Sequence, residues 1–399
     1  MTRRHLLSGA AALAGWRRAA AAVPDCPILV DAAGVRAIRA ALANGPAFAP
    51  AAEILRQNVE SALTGGPWSV TTKRPTHVKT SPNDYYSEGP YWWPDPKNPQ
   101  GPYIRKDGER YPGYFKANHD DLGRFGSAVL ALGMGASLLG DRRCGPRAAL
   151  VLSTWCTDPK TRMTPNLEFG QAVPGHNTGR GTGIIDTRPL IDAAQGIKLL
   201  AAENLLETSL LDGVLKWFTD YLHWMTTSGK GREEKSSGNN HATWWTAQAA
   251  AYASLVGDRA AQAMCWQHYK DYLVPTEIQV NGACPREEER TNSLSYSSMN
   301  LDAFSVICRV AETNGVKLWD YRTTRGIGPV RSYDYLLPYV LHPDRWKGQQ
   351  ISKFNPESVL FPGLAGVGMR NGNLLDGYRS LPRSHAAWIQ LVDLAVRTA

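Results

Sequence analysis

Gly238-Asn239-Asn240-His241-Ala242-Thr243-Trp244-Trp245-Thr246-Ala247-Gln248 opens a stretch, running to about residue 255, whose apolar residues recur at helical spacing. Gly238 or Asn239 suits the cap of such a helix. Asn240 and His241 then fall in its first turn, where the positive end of the helix dipole and free N–H groups favour an anion. Asn240, Trp244 and Gln248 share one face at i, i+4 and i+8. Taken alone, the stretch reads as a capped helix with a hydrogen-bonded histidine. What changes that reading lies elsewhere in the chain.

The same periodicity recurs through 31–43, 49–63, 119–139, 189–204, 206–226, 258–272, 299–314 and 383–397. Strand signals are sparse, and Val330 to Tyr339 fits a short extended piece or another helix. Helices of this length joined by unequal loops make an all-α architecture. With no repeat of fixed period, a regular solenoid is disfavoured. The expectation is an incomplete (α/α) toroid of helical hairpins around a central substrate groove, formed as a single domain by residues 23–399. Residues 65–118, rich in Pro, Gly, Tyr and Trp, break the pattern and read as a lid or binding loop. Residues 316–399 carry no motif.

Ahead of that domain, Thr2-Arg3-Arg4-His5-Leu6-Leu7 resembles a twin-arginine export signal ending in the alanines 19–22, although Trp16-Arg17-Arg18 interrupts its apolar run. The expected location is periplasmic or secreted. Loss of residues 1–22 removes four arginines and no acids, taking the net charge from +8 to +4. Such a surface suits an anionic substrate. Glycine-rich phosphate loops, zinc-finger spacings and basic arms are absent, so no nucleic-acid partner is expected. No apolar run approaches a membrane-spanning length, so stable membrane association is not expected either, and the chain is expected to be a monomer. Thirteen Trp and sixteen Tyr exceed what the core needs and suit sugar rings. The six cysteines include no C-x-x-C pair, which argues against a metal cluster, and six allow fifteen disulfide connectivities without choosing one.

Three further segments carry chemistry. Asp84-Tyr85-Tyr86-Ser87-Glu88-Gly89-Pro90-Tyr91-Trp92-Trp93-Pro94-Asp95-Pro96 is stiffened by prolines and filled with aromatics, as a wall for sugar rings would be. The segment is expected to border the groove with Tyr85 or Tyr86 facing it, and Trp92 and Trp93 to pack. His176-Asn177-Thr178-Gly179-Arg180-Gly181-Thr182-Gly183 has glycines that admit a ligand close to the backbone, and Arg180 suits a carboxylate. Asp186 and Arg188 just beyond it read as a brace for the next helix. Pro285-Arg286-Glu287-Glu288-Glu289-Arg290-Thr291-Asn292-Ser293-Leu294-Ser295-Tyr296 sets an arginine beside a tyrosine before a helix near Ser298, an arrangement that lowers a phenol pKa.

Together these four segments resemble signatures of the alginate lyase family, and more narrowly its branch that includes glucuronan lyases. The resemblance spans about Asp84 to Phe304. It implies an (α/α) toroid and elimination without metal or other cofactor. It also implies that the family's carboxylate-neutralising Asn and His fall on Asn240 and His241, and its catalytic Arg and Tyr on Arg290 and Tyr296. The mannuronate-specific branch has a slightly longer Arg-to-Tyr spacing, so the match there is looser. Substrate contacts are expected from Arg180, Tyr85, Tyr86, Asn239, Trp244, Gln248 and His176.

The substrate class this implies is an anionic 1,4-linked polyuronate, alginate at mannuronate-type linkages or, with the same mechanism, glucuronan. Two rivals stand beside the lyase reading. A glycoside hydrolase needs two carboxylates about 5–10 Å apart, for which Asp120-Asp121 and Glu287 to Glu289 are the candidates. A non-catalytic glycan-binding protein would explain the aromatics but not the Arg and Tyr beside Asn-Asn-His.

Overall fold

The computed structural model describes residues 28–399; the proposed export signal lies outside them. The chain winds through helices α1 Ala32–Asn44, α2 Ala49–Thr64, α3 Ala117–Leu139, α4 Cys144–Leu152, α5 Pro189–Ala202, α6 Thr208–Thr227, α7 Gly229–Lys235 and α8 Asn240–Val256. It continues through α9 Arg259–His268, α10 Val274–Glu277, α11 Pro285–Glu288, α12 Ser293–Thr313, α13 Pro329–Leu341, α14 Phe361–Met369, α15 Gly372–Ser380 and α16 Ala387–Thr398. Local chemistry fixes several boundaries. Asp31, Asn239 and Asp258 cap the N-termini of α1, α8 and α9 with their side chains. Gly140 and Gly257, at φ 69° and 76°, end α3 and α8 in the left-handed conformation that glycine adopts without strain.

Successive helices pack as an incomplete (α/α) toroid, as expected. α3 lies against α2 and α5, α8 against α5, α6, α9 and α12, and α12 against α13 and α14. The α3–α5 crossing is the tightest: a Cβ added at Gly133 would stand 2.6 Å from the Gly196 carbonyl oxygen, so glycine is required there. α3 is long and apolar enough to cross a membrane, but 78% of its apolar window is buried inside the protein, as suits a core helix. The motif-free segment 316–399 also has a structural role. α13 to α15 extend the ring from α12, and α16 returns to pack on α1, α2 and α3.

Val330 to Tyr339, open between an extended piece and a helix, is helical, within α13. Two expectations change. α12 begins at Ser293, five residues before the expected start, so Tyr296 sits in its first turn. Segment 65–118 is not structureless: it carries β1 Tyr86–Glu88, β2 Trp92–Trp93 and β3 Ile104–Arg105. β1 pairs in parallel with β4, Phe169–Ala172, while β2 and β3 form an antiparallel hairpin that overhangs the central groove. The five cysteines among the described residues, Cys144, Cys156, Cys265, Cys284 and Cys308, are buried free thiols.

Candidate active site

A cleft of about 360 Å³ opens between the hairpin and the N-terminal ends of α8 and α12. Asn240, His241, Arg290 and Tyr296 all line it, with Asn239 and Arg180. Residues fifty positions apart in the chain therefore meet on one wall.

The start of α8 is built around a buried carboxylate. Glu287 on α11 accepts the Asn240 backbone N–H at 2.6 Å and its side-chain Nδ2 at 2.8 Å. The Asn239 side chain accepts the His241 N–H at 3.1 Å. The expectation that free N–H groups here would grip a substrate anion is thus corrected: the anion at this helix end is the protein's own Glu287. Burial pushes the Glu287 pKa up, and the two Asn240 bonds pull it back only in part. Asn240 is 0% exposed and its Oδ1 has no partner.

His241 is held by Glu234 of α7, which receives Nδ1 at 2.7 Å. That leaves Nε2 as the ring nitrogen free for the cleft. Glu234 is itself buried; burial raises its pKa and His241 opposes the rise.

Arg290 makes a bidentate pair with Asp107 of the hairpin, Nε to Oδ2 at 3.0 Å and Nη2 to Oδ1 at 2.7 Å. Burial works against the Asp107 charge, yet Arg290 and Thr291 outweigh it and hold the carboxyl well below its usual range. The guanidinium carbon lies 3.7 Å from the Tyr296 ring centroid, so Arg290 stacks on the ring. The Tyr296 hydroxyl donates to the Tyr91 hydroxyl at 2.7 Å. Burial pushes the Tyr296 phenol up, Tyr91 adds to this, and Arg290 opposes it without prevailing. The expected lowering by the arginine is real as a contribution, but desolvation wins.

Several expected contacts do not reach the cleft. Tyr85 and Tyr86 are each 1% exposed. Tyr85 donates to Asp186 Oδ2 at 3.0 Å and Tyr86 to Glu88 Oε1 at 3.0 Å; they are buried where β1 meets β4 and α3. Gln248 is fully buried between Thr187 and Tyr252. Trp244 lies beneath the cleft with Arg188 over its ring. His176 is exposed, donates Nε2–H to the Tyr103 carbonyl at 2.7 Å and rests on Trp92, so it braces the hairpin. The glycines beside Arg180 serve the protein rather than a ligand: a Cβ at Gly179 would stand 2.1 Å from the Glu168 carbonyl oxygen. Arg180 does line the cleft, bonded to Gln171. Asp186 accepts from Tyr85, Ser87 and Gln171 and does not pair with Arg188.

Sequence reasoning missed Tyr91, Arg105, Arg110 and Arg188, all in the cleft wall, and the braces Glu234 and Asp107. Tyr91 stands inside a segment already singled out; Asp107 meets its partner across 183 residues, with no local signal. Among the described residues no group of three or more His, Cys, Asp or Glu side chains is arranged to hold a metal ion.

Comparison with known proteins gives one consistent picture. The family model described as alginate lyase matches residues 69–346. Among solved structures, an alginate lyase from Bacteroides ovatus superposes with a TM-score of 0.85 at 29% identity, covering 92% of this chain and 98% of that one. Alginate lyase A1-III from Sphingomonas species A1 superposes at 0.56 with 17% identity, covering 88% and 89%. A variant of alginate lyase A1-III complexed with tetrasaccharide superposes at 0.57 with 16% identity, covering 88% of each chain. The last two likenesses concern the fold alone. No curated protein sequence matches.

Proposed function

The chain belongs to the alginate lyase family and is a polysaccharide lyase, and from that premise we propose that it cleaves alginate at mannuronate-type linkages by β-elimination, with Tyr296 as both base and acid. The observation that carries this reading is the meeting of Asn240, His241, Arg290 and Tyr296 on one cleft wall.

The proton on carbon 5 is weakly acidic because the adjacent carboxylate is already negative. The site must first neutralise that carboxylate. One N–H of the Asn240 amide is spent on Glu287, which leaves the other for the ligand. His241, with Nδ1 on Glu234, turns Nε2 to the ligand and offers Nε2–H there when the ring is protonated. Arg290 adds its positive charge, and together these groups stabilise the enolate-like intermediate.

Tyr296 enters as a neutral phenol bonded to Tyr91. Loss of its proton by way of Tyr91 to cleft water creates the base, and the Arg290 guanidinium over the ring favours the phenolate. Tyr296 then takes the carbon 5 proton. The electrons of the broken C–H bond form the double bond between carbons 4 and 5, the bond from carbon 4 to the glycosidic oxygen breaks, and Tyr296 returns the proton to that oxygen. One residue serves both steps when proton and leaving oxygen share a face, as in β-linked mannuronate and glucuronate. Guluronate presents them on opposite faces and would need His241 as base.

The hydrolase alternative lacks its carboxylates. Glu287 is occupied by Asn240, Asp120 and Asp121 pair with Lys116 and Arg124, and the two acids in the cleft wall, Glu88 and Asp186, are each held by three or more protein groups. Five wall arginines, Arg105, Arg110, Arg180, Arg188 and Arg290, suit a polyanion. The twin-arginine pattern at Arg3-Arg4 supports export to the periplasm or beyond.

Incubation with poly-mannuronate, poly-guluronate and glucuronan separately, followed by the ultraviolet absorbance of the conjugated double bond, tests the reading. Poly-mannuronate should react fastest. Faster release from glucuronan would move the assignment to the other branch, and reducing ends without absorbance would mean hydrolysis.

A further inference from the structure

Four of the five cleft arginines are engaged by the protein. Arg105 and Arg290 pair with Asp107, Arg180 with Gln171, and Arg110 reaches the Tyr114 hydroxyl at 3.4 Å. Arg188 differs. Its side chain makes no hydrogen bond or ion pair with any described residue, and its guanidinium carbon rests 5.0 Å from the centre of the Trp244 ring. The carboxylates around it are committed elsewhere. Asp186 accepts from Tyr85, Ser87 and Gln171. Asp302 accepts the backbone N–H groups of Leu360 and Phe361 at the start of α14. Asp192, one turn along α5, is half-buried and makes no ion pair with Arg188; desolvation pushes its pKa up, and the Arg188 charge opposes the rise.

A half-buried guanidinium without a hydrogen-bond acceptor is costly, since part of its water is withdrawn and only the Trp244 face stands in for it. Here the backbone cannot easily relieve the cost. Arg188 sits between the tight turn Gly181–Thr187 and Pro189, whose ring fixes the first turn of α5. The side chain is thus held over Trp244 and faces the cleft.

We infer that Arg188 binds the carboxylate of a uronate neighbouring the sugar that reacts, and so sets the position of the polymer in the cleft. This rests on the polyuronate reading above. The reacting carboxylate is already served by Asn240, His241 and Arg290, and every further sugar of the polymer brings another carboxylate. A planar guanidinium receives it through two parallel N–H bonds. Arg188 is then a binding residue, while the proton transfers belong to Tyr296.

The test compares wild type, Arg188→Gln and Arg188→Lys on the polymer and on oligouronates of defined length. Arg188→Gln should raise KM by about 10- to 100-fold, as loss of a charge-assisted hydrogen bond does, while kcat stays within about threefold. The ratio of wild-type to variant kcat/KM should shrink towards one on the shortest oligomer cleaved, which lacks the neighbouring sugar. Arg188→Lys should restore part of the affinity. The Tm without substrate should hold near wild type, because no hydrogen bond or ion pair of the protein is lost. An unchanged KM, a loss equal at every chain length, or a lower Tm in both variants overturns the inference. If Arg188→Gln does not fold, Arg188→Lys alone carries the chain-length test. A wild type that yields no unsaturated product from any polyuronate defeats the reading of the cleft itself; an active wild type with an unaltered Arg188→Gln defeats only this inference.

Discussion

On one side of the cleft, Asn240, His241 and Tyr296 stand in the first turns of α8 and α12, with Arg290 in the turn that leads into α12. Glu287 and Glu234, both buried, brace the first two of these from behind. On the other side, Tyr91, Trp92, Arg105 and Arg110 belong to a hairpin of two-residue strands. The helical wall draws its rigidity from the core. The hairpin is tied down in part by residues of that helical side, Asp107 on Arg290 and Tyr91 on Tyr296. In the proposed mechanism the two sides divide the work: one supplies charge and the proton carrier, the other aims them.

The change expected to cost most tests the helical side. Tyr296→Phe removes one hydroxyl and should lower activity by roughly 10²–10⁴-fold, the usual loss of an acid–base group, measured as formation of the conjugated double bond. The same residue sets the pH profile. Burial pushes the Tyr296 phenol up, so the base form grows as pH rises, and kcat/KM should climb through the alkaline range with loss of one proton. A rising limb confined to acid pH, or a folded Tyr296→Phe enzyme near full activity, breaks the division and moves the base to the other side of the cleft or to His241.

Next come the braces. Glu287→Gln keeps the shape but replaces one acceptor by a donor facing the Asn240 amide, and should cut kcat by about 10- to 100-fold, the scale of losing hydrogen bonds to a charged group. Asp107→Asn leaves Arg290 with a neutral partner that cannot accept at both oxygens. Since Arg290 is also held by its stack on Tyr296, the expected loss is smaller, about tenfold. Equal losses would mean that the hairpin carries as much of the geometry as the core does.

The difference between the two sides also explains what the sequence reveals. Helix periodicity and caps are local, so the start of α8 and the neighbourhood of Arg290 and Tyr296 are legible from residues a few positions apart, and family motifs sharpen them. In the hairpin, legibility fails. Segment 84–96 announces its aromatics, yet which of them faces the cleft depends on the pairing of β1 with β4, some eighty residues away, and a one-residue shift exchanges the faces of a strand. Tyr85 and Tyr86 are buried by that pairing and Tyr91 is the one presented. Arg188 was hidden for a related reason: beside Asp186 it reads as an ion pair, and only the three donors that converge on Asp186 reveal that no pair exists.

The smallest expected effects give the sharpest comparison, because Tyr85→Phe and Tyr91→Phe are the same chemical change placed six residues apart. Tyr85 loses a buried hydrogen bond to Asp186, which costs about 0.5–1.5 kcal/mol and should lower Tm by about 1–2 °C. Asp186 keeps Ser87 and Gln171, so the cleft wall should hold and kcat/KM should stay within about twofold. Tyr91 sits in the cleft wall, where its hydroxyl accepts the Tyr296 hydrogen bond and, in the proposed mechanism, carries its proton to water. Tyr91→Phe removes the route by which Tyr296 is deprotonated while leaving the ring in place, so kcat should fall by about fivefold to tenfold with KM and Tm near wild type. A crossed result, in which Tyr85→Phe slows turnover and Tyr91→Phe only loosens the fold, would show that the strand register places the wrong tyrosine at the cleft, and with it the assignment of the hairpin as the aiming side would fall.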